Sequence, residues 1–443
     1  MPNNIQKFVN FFGIITCSLL VLISQVDAQE QKTFNDLEEV LQLVKDNYHS
    51  FGNAEIQTKL ADLSRKTAIA NVLNPRIPAS IQWIDNTKQQ VLFLPGEAFG
   101  QPGTYRSVTT GQKYTSLISL QPQFEVLNIV GIAQIKSAKI NQQLTDNENK
   151  INEFKLYNQI TPIYFNILSY QAQIEIVQEN IKGAETILKI AQNRFNENVG
   201  RKQDVNEAEV NLITLKNNLE QLEFNVNIQK ESLAIFLENN YIPHLSETVW
   251  TYESSNQIIA TNNTLQIKNI ELQQQLLQQD IKVNKAQHWP MLTLISSFNW
   301  QNLSSDFFYS SNSNSIDYNY IGLKLSMDLP TSVAKISSIK NKNLQLNILK
   351  NNFEHVAKQS ETDNRLLILD YEKSISQLEN LQKIVVLKED TYSKSFNQYQ
   401  ENILSLDDLL ISYNNMLAAK LNVVTALANI GFYKSKIDIN NKF

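Results

Sequence analysis

Apolar and small residues recur at alternating three- and four-residue spacing along two stretches of the chain. The first holds Ile167, Tyr170, Ile174, Val177, Ile181, Ala184, Leu188, Ala191 and Phe195. After a break it resumes at Val205, Ala208, Leu212, Leu215, Leu219, Leu222 and Val226. The same spacing returns 204 positions further on, from Tyr371 to Tyr399 and from Leu409 to Ile430. Even the breaks align, with Phe195, Asn198 and Asp204 matched by Tyr399, Asn402 and Asp408. Heptads of this kind predict coiled-coil helices. Their recurrence predicts one long helical hairpin used twice.

The rest of each copy reads outward from its hairpin. The spacing predicts a helix over 34–48 and a second from an Asn53 cap to Leu73, ended by Pro75 and Pro78. Period-two alternation then predicts a strand over 79–94 and another over 114–120, joined by a Gly- and Pro-containing loop over 95–111. From Phe124 to Asn196 the pattern is helix-compatible, about 108 Å if unbroken, with Pro162 as a possible kink. A return helix from Asp204 to Leu237 follows. The first repeat thus covers 29–238, with a β-hairpin at 79–121 and a helical hairpin at 124–238. The second covers 264–437, with a helix from Leu265, a β-hairpin at 291–328 and a helical hairpin at 331–437. An irregular insert (239–263) separates them, and 438–443 is left as a tail.

Beside the a/d stripe lie further apolar positions: Ile213, Phe224 and Ile228 in the first return helix, and Leu410, Tyr413, Leu417, Leu421, Val424 and Leu427 in the second. They supply a second seam, so each helix can touch a neighbour on both sides, as a closed tube requires. The third face is Asn, Gln, Lys and Glu, unlike the all-round apolar surface of a solid bundle.

Composition narrows the setting. Lys7, the apolar run 8–23 and Val26-Asp27-Ala28 read as a signal peptide over 1–28. Its removal takes the single cysteine, Cys17, and one charge of each sign, leaving the net charge of −5 unchanged. No basic stripe favours nucleic acid. The four histidines form no metal-ligand spacing, and no phosphate loop or nucleophile elbow appears. No cofactor is implied, and the reading is not an enzyme.

The four strands carry aromatics near their ends (Trp83, Tyr114, Trp300, Tyr320) and alternate as membrane-barrel strands do. A small soluble β-domain capping the helices is the alternative. Four strands cannot close a barrel, and open edges are not tolerated in lipid. Membrane-spanning strands would therefore require several copies.

At Arg194-Phe195-Asn196-Glu197-Asn198 with Asp204-Val205, and at Tyr399, Asn402 and Ser405-Leu406-Asp407-Asp408-Leu409-Leu410, the chain resembles the TolC family of outer-membrane channel proteins. The resemblance extends over nearly all of the sequence after the signal. It implies a mostly α fold with a transmembrane β part: a homotrimeric α-helical barrel in the periplasm and a shared twelve-stranded β-barrel in the cell outer membrane. It implies an exit duct for an efflux pump or type I secretion system, with a periplasmic adaptor (membrane fusion protein), an inner-membrane transporter and outer-membrane lipid as partners.

The resemblance also implies that the two turns form a periplasmic gate. Asp408 falls at an aperture aspartate, while the second aspartate of that ring is Ile411 here. Asp204 and Tyr399 fall at positions that link the two hairpins, and the arginine partner of those links is replaced by Leu404. Asn198 and Asn402 stand where the family has turn glycines, and asparagine tolerates the left-handed backbone. Asp204 and Asp408 read equally well as local helix caps. The rival function is a periplasmic coiled-coil adaptor or scaffold without a barrel.

Overall fold

A computed structural model of the chain describes residues 31–238, 242–252, 261, 264–329 and 332–443. The expected signal peptide with Cys17, and part of the expected insert 239–263, lie outside the described residues.

In chain order the elements begin with β1 (Gln31–Phe34), α1 (Leu37–Asn47) and α2 (His49–Leu73). Five short strands follow: β2 (Ala79–Asp85), β3 (Gln90–Pro95), β4 (Tyr105–Thr110), β5 (Tyr114–Leu120) and β6 (Gln123–Leu127). The first helical hairpin is α3 (Ile129–Asn196) and α4 (Lys202–Leu237). Next come β7 (Ile242–Leu245), α5 (Leu265–Ala286), β8 (Met291–Ser304) and β9 (Asn314–Ser326). The second helical hairpin, α6 (Val333–Gln400) and α7 (Leu406–Lys442), completes the chain.

One compact unit comprises the described residues up to Ala54 together with Lys150–Leu265 and Lys358–Phe443. Its core joins Phe34, Val40 and Val44 to Tyr157, Ile160, Tyr164, Leu233, Leu237, Val424 and Leu427. Strand β1 pairs in parallel with β7, which anchors the described part of the insert. There the carboxylate of Glu247 accepts from two phenols, the buried Tyr164 at 2.5 Å and the half-buried Tyr252 at 2.7 Å. A second apolar cluster, lower in the heptads, draws on all four long helices: Ala184 and Ala191, Val205 and Leu212, Tyr399, and Leu409 and Tyr413. Helix α7 has an 18-residue window apolar enough to cross a membrane, but half of that window is buried in this unit. It is the core helix of a bundle.

The other unit comprises Glu55–Asn149 and Gln266–Ala357. Its sheet has β2 on β5, β5 and β6 end to end on one side of β8, and β9 on the other side. The register sorts the side chains by face. Ile81, Ile118 and Trp300 lie opposite one another, as do Leu294 and Leu323, and Leu292 and Leu325. Trp83, Phe298 and Ile321 share this apolar face, which is largely exposed. The other face presents Thr293, Ser297, Asn299 and Ser119, all buried. Ser119 donates to Asn299 Oδ1 at 2.8 Å, and Asn299 donates to Ser297 Oγ at 2.8 Å. Among the described residues β2 and β9 each pair on one side only, so the sheet ends in two open edges.

Several boundaries differ from the expectations. The strand expected over 79–94 is interrupted after Asp85, where Asn86 turns its side chain to the carbonyl of Gln112 at 2.8 Å. The loop expected over 95–111 contains β4, which pairs with β3. Residues 124–127 are strand, not helix, because Phe124 and Leu127 pair with β8. Asn128 then caps α3 through the Gly131 amide at 2.7 Å. Helix α2 starts at His49, whose amide donates to Glu238 Oε2 at 3.0 Å, so Asn53 lies inside it rather than at a cap. Helix α3 runs unbroken through Pro162. All of the expected tail 438–443 but Phe443 belongs to α7, where Asn440 is buried and donates to the Thr261 carbonyl at 2.7 Å.

Candidate functional site

The two turns between the long helices are built alike. Asn198 and Asn402 adopt left-handed backbone, with φ of 59° and 60°. Behind each, the next amide reaches back five residues: Val199 to the Arg194 carbonyl at 3.0 Å, and Ile403 to the Gln398 carbonyl at 2.8 Å. This pattern closes the C-terminus of α3 and of α6 in the same way. Asparagine is the non-glycine residue best suited to that position.

Each aspartate is the third residue of the helix that follows its turn and bonds back to that helix's N-cap residue, Arg201 or Ser405. Asp204 accepts from the Arg201 amide at 3.2 Å and from Arg201 Nη2 at 2.8 Å. Asp408 accepts from Ser405 Oγ at 2.7 Å, and its own amide donates back to Ser405 Oγ at 3.2 Å. Both carboxylates sit in a first helical turn, where the macrodipole favours an anion. Asp408 is exposed and Asp204 half-buried.

Tyr399 is buried in the tip cluster. It shares no hydrogen bond with Asp204 among the described residues, so the expected tyrosine–aspartate link is not formed. Arg194 takes Tyr399 instead. Its guanidinium lies 4.2 Å from the centre of the Tyr399 ring. Its Nη2 donates to the carbonyls of Tyr399 at 2.5 Å and Gln400 at 3.0 Å. Burial raises the phenol's pKa, the Arg194 charge opposes this, and the Asp204 charge adds to it. Leu404 packs half-buried against the same cluster.

Two further contacts were not apparent from the sequence pattern. Tyr413 donates its hydroxyl to the Asn180 carbonyl beside Gly183, and its ring tilts against Tyr392 at 5.1 Å. A groove of about 590 Å³ opens between α4 and α7, lined in part by Glu207, Asn211, Asp407, Ile411 and Asn414. Asn414 donates to Asn211 across it at 3.1 Å. The Arg201–Asp204 spacing was readable as a helical i,i+3 pair; the Arg194 contact, made to main-chain carbonyls, was not.

Paired long hairpins with matched turns, and a two-faced sheet with open edges, define a subunit fold of the helical-tunnel and β-barrel class. More particularly, this is the fold of the TolC-family outer-membrane channels. The chain is similar to the outer membrane protein VceC from Vibrio cholerae, with TM-score 0.69 and 14% identity over 91% of this chain and 94% of that one. It is similar to the Campylobacter jejuni CmeC outer membrane channel, with TM-score 0.71 and 14% identity over 91% of this chain and 84% of that one. It is also similar to CusC, described in connection with transmembrane channel formation, with TM-score 0.73 and 12% identity over 90% and 91%. No protein-family model and no curated protein sequence matches the chain.

Proposed function

We propose that three copies of this chain form an outer-membrane channel that passively conducts substrates from the periplasm to the exterior. It would serve as the exit duct of a tripartite efflux pump or type I secretion system, with a periplasmic adaptor and an inner-membrane transporter as partners. The observation that carries this reading is the sheet: four strand lines, one apolar exposed face, one polar bonded face and two open edges. Lipid tolerates such a sheet only when its edges close, and four lines from each of three copies give a twelve-stranded barrel.

The candidate gate is the pair of turns, with Asp204, Tyr399 and Asp408 as gate and link residues and Asn198 and Asn402 as the turn pivots. Support comes from their shared placement at the free ends of two matched hairpins and from the contacts described above. The capping contacts of Asp204 and Asp408 are compatible with a gate, since a cap fixes where the carboxylate points. Cell fractionation with chemical cross-linking tests the assembly. A cross-linked trimer in the outer-membrane fraction is expected, and a soluble periplasmic protein would instead favour the adaptor or scaffold reading.

A further inference from the structure

We infer that the ribbon formed by β3 and β4 bends over the outer mouth of the barrel in each copy and packs its Phe93–Tyr105 face against the ribbons of the other two copies. This rests on the channel reading above, in which the strand loops point outward. Asp85 and Tyr114 are the last pair that β2 and β5 share on that side. Beyond it the chain continues as a separate two-stranded sheet, from Gln90 opposite Thr110 to Pro95 opposite Tyr105. Its head is tied together: the Gly96 amide donates to the Thr104 carbonyl at 2.7 Å, and Glu97 accepts from the Gly103 amide at 3.1 Å. Its base is tied as well, with Asn86 donating to the Gln112 carbonyl at 2.8 Å and Gln89 to the Gly111 carbonyl at 3.3 Å. There 86–89 on one line face 111–113 on the other, with Gly111 at a φ of 82°. An extra residue of this kind bends a ribbon.

An isolated two-stranded ribbon is marginal in water, and exposed apolar strands recruit a partner. This ribbon is apolar on both faces. One face carries Leu92, Leu94 and Val108, and at its head Arg106 lies 5.1 Å from the centre of the Phe99 ring. The opposite face carries Val91, Phe93 and Tyr105 and is the less covered of the two. Phe93 is 70% exposed and Tyr105 76%, against 43% for Leu92 and 37% for Leu94. Phe93 and Tyr105 are diagonal neighbours, near enough to form one aromatic patch. The other strand hairpin keeps its rings to itself. Phe307 and Phe308, in the loop between β8 and β9, turn onto Tyr114 at 5.6 Å and 5.0 Å. Phe93 and Tyr105 have no such ring partner among the described residues.

Distance, symmetry and charge make the occupant another copy of this chain. Twelve strands about 4.8 Å apart and tilted by about 40° enclose a barrel of radius about 12 Å. Six residues at about 3.4 Å each make the ribbon about 20 Å long. A ribbon bent over the rim therefore reaches the axis, and three copies bring three identical patches to one place. The paired residues carry one formal charge, Arg106, on the face away from the patch, so nothing repels across the contact. Lipid is the poorer occupant. Tyr114 and Phe308 lie at the end of the sheet, where an interfacial aromatic girdle belongs, and the ribbon begins beyond them.

Disulfide trapping in the full chain tests this. The single cysteine, Cys17, is first removed with Cys17→Ser, and one cysteine is then added at a time. A disulfide needs Cα atoms within about 7 Å, so linkage reports contact. Phe93→Cys, oxidised with copper phenanthroline in isolated outer membranes, is expected to run as a linked dimer. At most about two thirds of the chains can link, because three thiols at one axis close one pair. Leu92→Cys, on the opposite face of the same strand, is expected to link at least tenfold less. Lysine cross-linking of the same samples reports the trimer independently. A trimer in which Phe93→Cys does not link, or links no more than Leu92→Cys, overturns the inference and leaves the channel reading standing. If lysine cross-linking shows no trimer, the channel reading falls and the inference falls with it.

Discussion

The hydroxyl of Tyr413 on α7 donates to the main-chain carbonyl of Asn180 on α3, and Gly183 is what lets it arrive. A Cβ placed on Gly183 would stand 2.7 Å from that hydroxyl. Gly183→Ala should therefore destabilise the chain by about 1–3 kcal/mol through overpacking. Tyr413→Phe should cost about 1 kcal/mol through the lost hydrogen bond. Because the two residues touch, the double variant should cost less than the sum of the single effects in a denaturation cycle.

The turns make a sharper claim about backbone. At Asn198 and Asn402 the left-handed conformation costs a β-branched residue roughly 1–2 kcal/mol, and glycine adopts it freely. Asn198→Val and Asn402→Val should each lower the denaturation midpoint, whereas glycine at either site should leave it nearly unchanged. Equal effects of valine and glycine would mean that the turns are not held as described.

Glu247 ties the described part of the insert to α3 by accepting from the buried phenol of Tyr164 and the half-buried phenol of Tyr252. Glu247→Ala would leave both hydroxyls without their acceptor, at about 1–3 kcal/mol each. There is also a pH signature. Burial raises the Tyr164 and Tyr252 pKa values above the ordinary 10.0, and the Glu247 carboxylate adds to the shift. The unfolded phenols lose their protons first, so the stability tied to these protons is whole below pH about 10 and declines above it. The slope of stability against pH above that point should flatten in Tyr252→Phe.

On the sheet, face decides tolerance. Leu323 lies on the apolar exposed face, and Gln301 on the opposite, polar one. Leu323→Lys should cost about 2–4 kcal/mol if that face meets the bilayer midplane, and should deplete the outer-membrane trimer on heat-stability gels. Gln301→Lys should leave the trimer intact.

Much of this architecture was legible because its signals are periodic. The heptads marked the four long helices, and the alternation in 291–300 and 320–327 marked the face that β8 and β9 expose. Where the chain misled, a tertiary partner outweighed the local pattern. Phe124 and Leu127 suit a helix start, yet β8 offers them a ladder. Tyr105–Thr110 lies among Gly and Pro residues that suggested loop, yet it pairs with β3. At the tip, the asparagine turns and the capping aspartates followed from residue type. The Arg194 contact did not, because its acceptors are main-chain carbonyls, which every residue type carries.

Reconstitution of the purified full-length chain in planar bilayers tests the central claim most directly. A trimer inserting as discrete, uniform conductance steps is the predicted result. A protein that stays monomeric in detergent and leaves the bilayer silent would contradict it.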